Sequence, residues 1–119
     1  MKKVFHLSSC DTCQKIIKST GVDAICELQD IKKHNISAED LDWLASQTGN
    51  YEALFSRKAL KFRAMGLHEQ KLTEADYRRL ILEEYTFLKR PVIVMDNKIF
   101  VGNAPKVVQE AKEYYLHCK

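Results

Sequence analysis

Two cysteines three residues apart, Cys10 and Cys13, stand in the segment His6-Leu7-Ser8-Ser9-Cys10-Asp11-Thr12-Cys13. A thiol becomes a nucleophile only as thiolate, and a free thiol with a pKa of about 8.5 is mostly protonated at neutral pH. Position can change that. Residues 8–11 are polar and turn-prone, and they fall between an apolar-polar alternation over residues 3–7 and the apolar pair Ile16 and Ile17. Cys10 is therefore predicted in the loop that leads from a strand into a helix. There, unsatisfied backbone N–H groups and the positive helix end stabilise a sulfur anion. Cys13, one turn further on, can attack Cys10 once Cys10 is oxidised or carries an adduct, which makes it a candidate resolving thiol. Asp11 works against a thiolate unless it turns outward as a capping group. His6, four residues before Cys10, can face the sulfur's loop or pack into the core.

The remaining cysteines, Cys26 and Cys118, read as a buried strand residue and a tail thiol. A lone Cys-x-x-Cys gives zinc half a ligand set, and His34, His68, His117 and Cys118 add no finger-like spacing, so no metal is expected. At 119 residues and 45% hydrophobic, the chain can bury a core without disulfide staples, which leaves the cysteines available for chemistry. Residues 1–7 are too short for a secretory apolar segment, and no run approaches the ~20 residues of a membrane span. A cytoplasmic protein with no membrane contact is expected. A net charge of +3, spread along the chain, is too mild to predict direct nucleic-acid binding.

The elements that must position Cys10 follow from periodicity and punctuation. A strand over 3–7 leads to a helix that ends at Gly21, and residues 22–28 read as a second strand. Residues 31–35 form a polar connector. Helices are predicted from the Ser37/Asp40 cap to Gly49, over 51–65, and from the Thr73/Asp76 cap to about Leu88. Residues 91–95 and 99–101, joined through Asp96-Asn97, form a hairpin, and Pro105 opens a last helix. The order β-α-β, helices, β-β, α predicts an α/β fold. Its core is a mixed four-stranded sheet, with a helical insertion at about 37–88 in a single domain over 1–119.

Cys10-Asp11-Thr12-Cys13, Arg57, the stretch from Leu88 through Arg90-Pro91 to Val94, and Val101-Gly102-Asn103 together resemble the arsenate reductase / Spx regulator family. The resemblance covers nearly the whole chain. It implies a thioredoxin-like fold, Cys10 as nucleophile and His6 as the histidine that tunes it. It also implies Arg57 and Arg90 as anion-binding arginines, and Pro91 as a cis proline facing the thiol. Two positions depart from the pattern. Glutaredoxin-linked arsenate reductases carry a third arginine after the last hairpin, where this chain has Asn103-Ala104. They also usually carry serine where this chain has Cys13, a position that is cysteine in Spx regulators.

Two functions are implied. In the first, Cys10 of a thiol oxidoreductase attacks a small oxyanion or a disulfide, Arg57 and Arg90 hold the anion, and Cys13 or glutathione resolves the adduct. Glutathione, glutaredoxin or thioredoxin serves as reductant, with no cofactor bound to the chain. In the alternative, a Cys10–Cys13 disulfide switches a regulator that binds RNA polymerase.

Overall fold

In a computed structural model, which describes residues 1–118, the apolar-polar alternation of the first segment forms strand β1, Lys2–His6. Strand β2, Glu27–Asp30, pairs with it in parallel, Val4 lying opposite Leu28. Strand β3, Val92–Met95, runs antiparallel on the other side of β1, and strand β4, Lys98–Val101, completes the hairpin. The sheet order is β2-β1-β3-β4, and its mixed four-stranded thioredoxin-like form is the one expected. Asp96 takes the positive φ of 58° that the hairpin turn requires.

The chain divides into two compact units, one of Met1–His34 with the chain from Arg90 onward and one of Asn35–Lys89. In the first, helix α1, Asp11–Thr20, and helix α5, Pro105–Cys118, pack on the sheet. Ile16, Ile17, Ala111 and Tyr115 meet Val4, Ile93 and Met95 in one buried cluster. These strand residues alternate with Phe5, Val92 and Val94, which are equally buried and point to the opposite face. Helix α1 stops at Gly21, whose φ of 79° lets its N–H reach the Ile17 carbonyl at 2.9 Å.

The expected strand over 22–28 is displaced. Residues Val22–Ala24 form one 3-10 turn, because the reversal at Gly21 continues through Ala24, Ile25 and Cys26 N–H bonds back to Gly21 and Val22. Val22 and Cys26 fill the core beneath α1 ahead of the strand, so Cys26 is a buried residue but not a strand residue. The connector over 31–35 is less polar than expected, since Ile31 is fully buried.

The second unit holds helix α2, Ala38–Thr48, helix α3, Leu60–Ala64, and helix α4, Glu74–Glu83. Both expected N-caps form: the Ser37 hydroxyl accepts from Asp40 N–H, and Thr73 and Asp76 make a reciprocal capping box. The single helix expected over 51–65 does not form. Phe55 turns extended and pairs with Leu88, its ring 5.1 Å from Phe87 and 4.9 Å from Tyr77. Burying that aromatic cluster outweighs helix continuity across the polar residues 56–58. Leu60 and Met65, expected on the apolar side, are exposed. Helix α4 likewise ends at Glu83 and gives way to a 3-10 turn, Tyr85–Phe87, that delivers Phe87 to the cluster.

Gly21→Ala is expected to destabilise the chain by about 1–2 kcal/mol, the cost of a left-handed alanine. The added methyl would also press on the Tyr115 ring at 3.3 Å. Urea denaturation measures this, and a change of only a few tenths would contradict the turn described here.

Candidate active site

Cys10 is the N-cap of α1, with extended backbone angles of −94° and 108°. The turn before it is closed by the Cys10 N–H, which donates to the Leu7 carbonyl at 2.9 Å. Helix α1 starts where Gln14 N–H donates to the Cys10 carbonyl at 3.2 Å. This leaves the first-turn N–H groups of α1 without helical partners. Cys13 lies one turn on and is fully buried, whereas Cys10 is part-exposed.

Three groups act on the Cys10 sulfur. Partial burial works to raise its pKa. Against it stand hydrogen bonds from the Cys13 backbone N–H, the Cys13 thiol and the Arg90 side chain, together with the Arg90 charge. The sum holds the Cys10 thiol below its ordinary value. Cys13 behaves in the opposite way. Burial pushes it up to about 11, with a backbone bond from Leu7 working the other way and Cys10 adding to the rise. The first proton therefore leaves Cys10 and the second stays on Cys13, which keeps Cys13 a hydrogen-bond donor at neutral pH.

Arg90 reaches Cys10 from two residues before β3. The Arg90–Pro91 bond is cis, as the resemblance implies, and the Pro91 carbonyl accepts from Gly102 N–H at 2.9 Å. Arg90 thus sits at a fixed corner of the sheet and brings a permanent charge to the sulfur.

His6 ends β1 and is buried, its Nδ1 lying 3.2 Å from the Gln14 side-chain nitrogen. Burial lowers its pKa, with the Asp30 charge working the other way. The imidazole is thereby kept neutral. Sequence spacing singled out His6 but missed Gln14 and Asp30. Gln14 belongs to no motif, and Asp30 meets the site only through the parallel pairing of β2 with β1. Asp30 also accepts from the Ser8 hydroxyl at 2.6 Å.

The structure brings Cys10, Cys13 and Arg90 together, with Pro91 adjoining Arg90 and His6 at the base of the same loop. Arg57 belongs to the other unit, in a non-helical turn rather than on a helix. Its Nη2 donates to Glu52 and to the Tyr77 hydroxyl, each at 2.7 Å. Among the described residues, no three His, Cys, Asp or Glu side chains converge as a metal site needs, and no helix is long and apolar enough to cross a membrane.

Arg90→Gln is expected to raise the Cys10 pKa, since both the charge and the charge-assisted bond are lost. Iodoacetamide alkylation of Cys10 below the ordinary thiol range should slow severalfold and recover at higher pH. An unchanged pH profile would contradict the part assigned to Arg90.

The ArsC family model matches residues 5–111. An arsenate reductase of Haemophilus influenzae is 20% identical over 112 residues, which span 90% of this chain and 95% of that one. The structure superposes on an arsenate reductase from Vibrio cholerae with a TM-score of 0.76 at 19% identity, covering 92% of this chain and 95% of the other. An arsenate reductase-related protein from Brucella melitensis gives 0.68 at 27% identity, over 100% and 96% of the two chains.

Proposed function

The chain belongs to the ArsC family, and from that premise we propose that it is a thiol oxidoreductase whose Cys10 thiolate attacks a disulfide or a small oxyanion. The observation that carries this reading is the place of Cys10 at the N-cap of α1, part-exposed one turn from the buried Cys13, where Cys13 and Arg90 hold its pKa down. A cysteine held only for packing needs none of this.

With a disulfide substrate, the Cys10 sulfur bonds to one substrate sulfur as the other leaves with the electron pair. Cys13 then gives up its proton and attacks the Cys10 sulfur. The mixed disulfide breaks, the second substrate thiol departs, and a Cys10–Cys13 disulfide remains. Two electrons have passed to the substrate. Burial and the high pKa of Cys13 order these steps, since Cys13 cannot compete as the first nucleophile.

With an arsenate-like oxyanion, Cys10 displaces hydroxide from arsenic(V) and forms a sulfur–arsenic bond. A second thiol, from Cys13 or glutathione, attacks Cys10. The bonding pair then stays on arsenic, which leaves as arsenite, and the two sulfurs are oxidised to a disulfide. Arg90 supplies positive charge for the anion as well as for the thiolate. Glutathione with glutaredoxin, or thioredoxin in their place, returns the disulfide to thiols by exchange. The stretch Val101-Gly102-Asn103-Ala104, where the family's glutaredoxin-linked reductases carry an arginine and this chain has none, favours the disulfide branch over the arsenate branch.

Glutathione-coupled reduction of a mixed disulfide and of arsenate, with glutaredoxin supplied, tests the proposal. Cys10→Ser should lose at least about 1,000-fold on whichever substrate turns over, as removal of a nucleophile does. In a single turnover without glutathione, Cys13→Ser should retain the first step and trap the adduct on Cys10. Full activity of Cys10→Ser would refute the proposal, and absence of arsenate turnover by the wild type would remove the arsenate branch.

A further inference from the structure

The Gln14 carboxamide makes two contacts with one nitrogen. Its Nε2 donates to the Leu7 carbonyl at 3.0 Å and lies 3.2 Å from His6 Nδ1. A carbonyl can only accept, so the atom facing it must be the NH2 end of the amide. The same NH2 faces His6, and Nδ1 must therefore be an acceptor. Neutral His6 then carries its proton on Nε2. Protonation of Nδ1 would set two donors against each other, a second reason, beside burial, for the ring to stay neutral. Asp30 is the charged group on the neighbouring strand that opposes this.

Gln14 also holds the nucleophile's loop. Its main-chain N–H donates to the Cys10 carbonyl, and its side chain donates to the Leu7 carbonyl that already accepts from Cys10 N–H. One residue thus ties both ends of the turn Leu7–Cys10 to the first turn of α1. That turn carries the Cys13 N–H, which works to lower the Cys10 pKa.

We propose that Gln14 is a positioning residue for Cys10: its carboxamide clamps the Leu7–Cys10 turn and fixes His6 as the neutral Nε2–H tautomer. It touches neither the sulfur nor a substrate and acts on Cys10 through the loop. The inference rests on the thiolate reading of Cys10. Facing that sulfur are Cys13 from α1 and Arg90 from the approach to β3; facing His6 are Gln14 from α1 and Asp30 from β2.

The test pairs Gln14→Met, which keeps the side-chain length without donors, with Gln14→Glu, which replaces the donor facing Nδ1 by an acceptor. Ring-nitrogen NMR of His6 and the pH profile of Cys10 alkylation are read on folded protein. Wild-type His6 is expected as the Nε2–H form. Gln14→Met should mix the tautomers and slow alkylation severalfold below the ordinary thiol range. Gln14→Glu should place a proton on Nδ1 and slow alkylation further. A role in stability alone would lower the melting temperature and leave both readouts of the folded state unchanged, which overturns the proposal. So does a wild-type His6 protonated on Nδ1. A wild-type profile that already matches an ordinary thiol refutes the thiolate reading and this inference with it; a low wild-type profile superposed on that of Gln14→Met refutes the inference alone.

Discussion

A negative charge on a partly buried sulfur must be met by donors, and the first unit of this fold meets it at Cys10. Water is partly excluded there, which by itself favours the neutral thiol. The Cys13 backbone, the Cys13 thiol and Arg90 reverse that preference. Each comes with a structural requirement. The backbone donor exists because Cys10 is the N-cap and the next residues have no helical acceptor. The thiol donor exists because burial keeps Cys13 protonated. The charge exists because the chain turns at Arg90–Pro91 into the central strand pair.

The same asymmetry makes the two cysteines unequal partners. One sulfur is part-exposed and ionises first, and the other is buried and held near 11. A dithiol with such a split has a built-in order of events, in which the outer sulfur attacks and the inner one resolves. Two thiols with equal pKa values would compete for substrate, and each would weaken the other's role. The scaffold enforces the order because α1 cannot rotate: Ile16 and Ile17 are locked in the core under β1 and β3, and Gly21 ends the helix against Tyr115.

Much of this was legible in the sequence. Cys10 and Cys13 stood out by spacing, the strand–loop–helix context by alternation and polarity, and the closing hairpin by its β-branched run and turn. Arg90, Pro91 and Arg57 became readable only through the family resemblance, since a basic residue before a proline has no local signature. What stayed hidden depended on packing between distant residues. The 3-10 turn at Val22–Ala24 follows from how the chain leaves Gly21 and fills the core. The break at Phe55 follows from an aromatic cluster whose members are up to 32 residues apart in sequence. Gln14 is an ordinary helix residue until β1 and α1 are docked, when its amide meets a carbonyl and an imidazole.

The ultraviolet absorbance of thiolate, followed against pH in the wild type and in Cys10→Ser, tests the central claim most directly. The difference between the two should show one sulfur ionising below the ordinary thiol range. A difference curve with the midpoint of a free thiol would contradict the account, because the donors gathered on Cys10 would then be stabilising nothing.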